Sequence, residues 1–160
     1  MNPSDIERWN ERFNTPDFLF GKAPNAFLAS KEHMLRPGAR ALVLADGEGR
    51  NGVWLAEQGL EVLSVDASSV AQEKARALAA ERGVHVSFEQ ADLATWEMGH
   101  ERFDLVAAIF IQCKCSPLGL CLSEGTVRWR VGRAPAGRGG RPGKHRSGSR
   151  VRCAAASAGS

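Results

Sequence analysis

No apolar run in this sequence approaches the 18 or so residues needed to cross a bilayer; the longest, Leu105 to Ile111, stops at seven. A secretion signal is also missing, since Met1-Asn2-Pro3-Ser4-Asp5 has neither the basic nor the apolar region of one. These two absences argue against a membrane span and make a cytoplasmic protein the expectation. Cysteine does not occur in the first 112 residues: Cys113, Cys115, Cys121 and Cys153 all lie beyond them. Their spacing, with His145 nearby, does not make the two close pairs that bind zinc, and a reducing cytosol disfavours disulfides, so no metal site is expected. Histidine is scarce as well. His33 falls on a helix face, His85 within a strand and His100 in a polar loop, and none has the setting of a general base.

What is present divides sharply. Residues 1–112 carry 11 basic and 17 acidic side chains, a balance of −6, whereas residues 113–160 carry 10 basic and one acidic, a balance of +9. The second part also holds 9 of the 17 glycines, in stretches such as Gly137-Arg138-Gly139-Gly140-Arg141-Pro142-Gly143-Lys144. Three readings of this part stand open. It is an out-of-frame or otherwise aberrant tail, since a GC-rich gene read out of frame yields Gly, Ala, Arg and Pro; a genuine disordered basic tail that holds nucleic acid; or a folded extension. The boundary near Gln112 follows directly on a core strand. A four-stranded sheet ending there leaves its last strand as an open edge.

Up to that boundary the hydrophobic pattern alternates between strand and helix. A helix is expected over 4–13, capped by Ser4 with Ile6, Trp9 and Phe13 on one face. The stretch Phe18–Leu28 is expected to pass from a loop into a second helix that stops near Pro37-Gly38. Strands are expected at 41–45, 61–65, 84–88 and 104–111, with helices over 50–58 and 69–82. In the latter, Ser69 and Gln72 read as a capping box, Ala71, Ala75 and Leu78 as the buried stripe, and Gly83 as the stop. This pattern predicts an α/β fold with a doubly wound parallel sheet, incomplete on its far side. Three regions follow: a helical lid segment at 1–40, a cofactor-binding core at 41–112 and the basic tail at 113–160. The aromatic cluster around Phe18 to Phe27 reads either as a flap sealing one end of the sheet or as a lid over a ligand.

The most telling stretch runs from strand 41–45 into Asp46-Gly47-Glu48-Gly49-Arg50-Asn51-Gly52. Gly47-x-Gly49-x-x-Gly52 has the spacing of a nucleotide-binding turn, where bare backbone approaches the ligand. Asp66 ends the next strand, where an acid meets the two hydroxyls of an adenosine ribose. Asp46 and Glu48 put two carboxylates beside the first glycine. A pyrophosphate placed there sits near two like charges, and each such contact costs on the order of 4 kcal/mol at about 4 Å and an effective dielectric of about 20. A cationic, phosphate-free cofactor such as S-adenosylmethionine is favoured over a nicotinamide or flavin dinucleotide, and a turn that serves packing alone remains the third possibility.

The turn Ala45–Asn51, the strand-end acid in Val65-Asp66-Ala67-Ser68, the pair Asp92-Leu93 and the strand Phe103–Ile109 together resemble a class I S-adenosylmethionine-dependent methyltransferase. The resemblance is to the tellurite-resistance and thiopurine methyltransferase-like sort and covers about residues 6 to 112. One departure is Val43, where the family usually carries an acid; Asp46 is the nearby carboxylate. The resemblance implies that Asp92 accepts from the adenine amine while the Leu93 amide faces the ring; the alternative is that Asp92 caps a short helical segment. It also implies a part in the site for Trp9, Arg12, Pro24 and Asn25, and a small-molecule methyl acceptor. The expected cofactor residues are Ala45, Asp46, Gly47, Glu48, Gly49, Asp66, Ala67, Asp92 and Leu93, with no catalytic residue named. Low methyltransferase activity is expected, because similar enzymes build their acceptor pocket from elements after the fourth strand. The competing expectations are a nucleic-acid-binding protein acting through the tail and an NAD-type oxidoreductase fragment.

Overall fold

The structure is a computed structural model and describes residues 3–99, 102–109 and 126–129. Four strands, β1 (Arg40–Leu44), β2 (Glu61–Asp66), β3 (Val86–Gln90) and β4 (Leu105–Ala108), run parallel. They form one sheet with β5 (Thr126–Trp129), in the order β3-β2-β1-β4-β5. The chain winds outward from β1 to β3 and then crosses back to place β4 on the other side of β1. That reversal opens a crevice at the carboxyl ends of β1 and β4.

The parallel α/β sheet is the one expected; the first three strands are shifted by a residue or two, and the fourth, expected over 104–111, is shorter at Leu105–Ala108. The edge differs: β5 pairs antiparallel with β4, Leu105 opposite Trp129 and Ala108 opposite Thr126, so β4 is not an open edge. The other expectations for residues 113–160, including a nucleic-acid-binding tail, lie outside the described residues.

Alternation along the strands splits the core in two. Ala41, Val43, Val62, Leu105 and Ala107 pack with Leu55 and Val53 of helix α3 (Arg50–Glu57) and with Leu78 and Ala79 of helix α4 (Ser69–Arg82). On the opposite face Leu42, Leu44 and Ala108 pack with Leu63, Leu93, Trp96, Phe103 and Val106, covered by the segment between β3 and β4. Each fully buried leucine contributes about 1.5–3 kcal/mol of transfer free energy. Ala71, Ala75 and Leu78 form the buried stripe of α4 as expected, and Gly83 ends that helix at φ +66.

Three helix expectations need correction. The cap of α4 is Ser68, not Ser69: its Oγ accepts from the Ala71 N–H at 3.1 Å, and Asp66 accepts from the Ser68 N–H at 2.8 Å and so fixes it. Gln72 makes no capping box, because its Nε2 donates instead to the carbonyls of Asp66 (3.4 Å) and Glu89 (2.6 Å) and ties β2 to β3. The second helix is short, α2 (Ala26–Ala29), followed by a single 3₁₀ turn at Glu32–Met34. There the Ser30 hydroxyl donates to the Phe27 carbonyl at 2.7 Å, a local bond of the kind that competes with continued helix. Helix α1 (Pro3–Phe13) covers the expected residues and packs on α4, but it starts at Pro3, so Ser4 lies inside the helix and is not its cap.

Candidate functional site

The apolar strand β1 ends at Leu44, and the next residue turns sharply. Ala45 has φ +49, the one positive φ at a non-glycine among the described residues. A left-handed alanine costs roughly 1–2 kcal/mol, so the rest of the turn must hold it there. Gly47 (φ +58) and Gly49 (φ +84) continue the turn into α3, which starts at Arg50. Gly49 also lies tight against α4, since a Cβ there would fall 2.6 Å from the Ala75 Cβ.

Asp66 stands at the end of β2 and binds the turn directly. One carboxylate oxygen accepts from the Gly47 N–H at 2.8 Å and the other from the Ser68 N–H at 2.8 Å. Burial pushes its pKa up against the pull of these bonds. A carboxylate has about four acceptor sites, so capacity remains for a vicinal diol. Ala67 lies beside it, and its carbonyl accepts from Gln90 Nε2 at 3.3 Å.

Asp46 and Glu48 do not face outward as the charge argument required. Asp46 is turned beneath α3, where its carboxylate accepts from the Gly52 N–H at 3.1 and 3.3 Å and from the Ser64 hydroxyl at 3.0 Å. Burial raises its pKa to about 6. Glu48 is buried and pairs with Lys74 at 2.7 Å. The physical reason is that each carboxylate finds donors inside the fold that the turn's tip does not offer. Neither acid is therefore placed to repel a phosphate, and that argument against a dinucleotide falls.

Asp92 and Leu93 lie on the segment after β3. Asp92 Oδ1 accepts from the Ala94 N–H at 2.9 Å, and its carbonyl from Thr95 and Trp96, a capping role for a short turn. Leu93 packs into the core of the second face. Asp104, at the other end of the sheet, accepts from the Arg40 N–H at 3.0 Å, a structural role.

Over the turn lies the amino-terminal segment, whose contacts were not apparent from pattern. The Phe13 ring is the neighbour that a Cβ on Gly47 would meet, at 3.2 Å, and Trp9 stacks on Phe13 with centroids 5.5 Å apart. Arg12 lies over the Trp9 ring at 4.6 Å. The Ser68 hydroxyl donates to Asn10 Oδ1 at 2.6 Å, and the Asn25 N–H donates to Asn51 Oδ1 at 2.9 Å. Lys74 Nζ donates to the Asp17 carbonyl at 2.7 Å while holding Glu48. Asn51, buried one residue into α3, was the one detectable signal: a polar side chain at a buried helical position needs a partner.

Residues 41–119 match the family model described as a methyltransferase domain. No curated protein sequence matches the chain. Among solved structures, one from work on conversion of a disulfide bond into a thioacetal group during echinomycin biosynthesis is 28% identical, with a TM-score of 0.56, over 67% of this chain and 48% of the other. The protein YjhP of E. coli is 26% identical, with a TM-score of 0.53, over 64% of this chain and 44% of its own. A Geobacter sulfurreducens S-adenosylmethionine-dependent methyltransferase, solved with S-adenosyl-L-homocysteine, shares the fold at 21% identity and TM-score 0.52, over 64% and 43% of the two chains. The chain thus spans less than half the length of these solved proteins.

Proposed function

We propose that this chain, which carries a methyltransferase domain at residues 41–119, binds S-adenosylmethionine at the turn between β1 and α3 and serves methyl transfer to a small-molecule acceptor. The observation that carries the reading is the contact between Gly47 and Asp66, which brings a glycine turn and a strand-end carboxylate together at the ligand edge of the sheet. The remaining acceptor sites on Asp66 would take the ribose hydroxyls, and Gly47 and Gly49 would present backbone without side chains to the cofactor. Ala45 and Ala67 border this place. Asp92 and Leu93 flank the adenine, the finer assignment that the sequence resemblance supports, as it does the tellurite-resistance or thiopurine-type subfamily. Bound cofactor supplies an electrophilic methyl group. The chain's part is to orient it and exclude water, which falls to Phe13 and Trp9 in the cover over the turn and to Phe20, whose ring meets Phe13 edge-on at 6.4 Å.

Calorimetry tests the assignment. S-adenosylmethionine or S-adenosylhomocysteine binds the full chain, and NAD binds more weakly or not at all. Tighter binding of NAD would reverse it, and NAD is a real competitor because Asp46 and Glu48 leave the turn's tip uncharged. A methyl-transfer assay on thiol, metalloid and amine acceptors then addresses the substrate.

A further inference from the structure

The third glycine of a nucleotide-binding turn ordinarily lets the helix approach the strand beneath it. At Gly52 the geometry is different. A Cβ there would meet the Ser64 Cβ on β2 at 3.6 Å, an ordinary contact, but would fall 2.4 Å from Asp46 Oδ2. The helix–strand distance therefore has room for alanine, and the carboxylate does not. Nor can the carboxylate swing away cheaply. It is 6% exposed, and both its oxygens are held, by the Gly52 N–H and by the Ser64 hydroxyl.

Asp46 lies between Ala45 and Gly47, whose backbones are both left-handed, and the Gly47 N–H is the donor on Asp66. We propose that Asp46 and Gly52 form an internal lock on the turn. Asp46 is a positioning residue that holds Ala45–Gly47 in shape from below, and the glycine at 52 serves to admit its carboxylate rather than to touch a nucleotide. The link to ligand affinity rests on the cofactor reading above, whereas the lock itself does not. Among the described residues, the acid that acts on Asp46 through its charge is Asp66, on the neighbouring strand end.

The test is a double-mutant cycle in the full chain, read by unfolding midpoint and by S-adenosylhomocysteine calorimetry. Gly52→Ala alone lowers the midpoint by about 5 °C or more and weakens binding roughly tenfold, as overpacking of a pinned group does. Asp46→Ala alone loses binding about five- to tenfold, the worth of the hydrogen bonds removed. Asp46→Asn keeps an acceptor for the Gly52 N–H and recovers most of that loss. The double variant Asp46→Ala/Gly52→Ala is no worse than Asp46→Ala, because the clash has gone and alanine suits a helix. If Gly52→Ala does not fold, folding of the double variant is the same result. A harmless Gly52→Ala, or a double variant that sums both losses or also fails to fold, overturns the lock. Absence of S-adenosylhomocysteine binding by the unaltered chain overturns the cofactor reading instead, and the midpoints still decide the lock.

Discussion

Three residues of the turn lend themselves to single substitutions. Asp66→Ala removes a charged acceptor, and cofactor affinity falls by about 1.5–3 kcal/mol, with Asp66→Asn retaining part; an unchanged dissociation constant in a folded Asp66→Ala protein leaves the acid a purely structural tie. Ala45→Gly relieves a left-handed alanine worth roughly 1–2 kcal/mol at an entropic cost of about 0.5–1 kcal/mol, so it stabilises the fold slightly, by about 0.5–1 kcal/mol in urea unfolding. Asp46 gives the fold a pH dependence opposite to that of a salt-bridged carboxylate. Its pKa rises from 3.8 to about 6 on folding because burial disfavours the charge. The folded state therefore binds the proton more tightly, and stability grows as pH falls from above 6 toward 4. Asp46→Asn makes the protein more stable at pH 7.5 by on the order of 1–3 kcal/mol, with the gain shrinking near pH 5. Equal gains at both pH values would mean that the charge costs nothing where it sits.

Among the elements, the cover formed by α1 and residues 14–25 depends on a few polar clasps. Lys74 joins α4 to Glu48 on the turn and to the Asp17 carbonyl of the cover. Its side chain is 17% exposed and that of Glu48 only 2%, so Lys74→Ala strands a buried carboxylate. A fully buried broken pair costs about 3–5 kcal/mol; with Lys74 partly solvated the loss is about 2–3 kcal/mol. Lys74→Met with Glu48→Gln recovers most of it, whereas amide exchange over residues 15–20 accelerates in both variants, since each lacks the donor to the Asp17 carbonyl. The regular elements here were legible because periodicity reports burial, as in the stripe Ala71, Ala75 and Leu78. The clasps were not, since they join positions decades apart through single hydrogen bonds that leave no period. Ser68 was missed as the helix cap for a related reason: two adjacent serines look alike until Asp66 selects one.

At the scale of the molecule, the doubly wound parallel sheet was readable because strand–helix alternation admits few topologies, though its strand order was not. The inward turn of Asp46 and Glu48 was not, because a sequence places acids on a turn without saying which way they point. The pairing of β5 with β4 was hidden in a stretch whose composition resembles no strand-helix pattern. Deleting Thr126–Trp129 leaves β4 as a free edge, and hydrogen exchange at Leu105–Ala108 rises together with a tendency to aggregate; unchanged exchange there means that β5 lends no protection. The cover has a further consequence, one of timing. Asn10 meets its partner Ser68 across 58 residues, and Lys22 meets Glu81 across 59. On a ribosome adding about 5–20 residues per second, Asn10 and Lys22 wait some seconds for their partners to emerge. The chain's beginning is thus positioned to fold after its middle, and the turn takes shape uncovered, open to solvent and to any ligand present before its roof arrives.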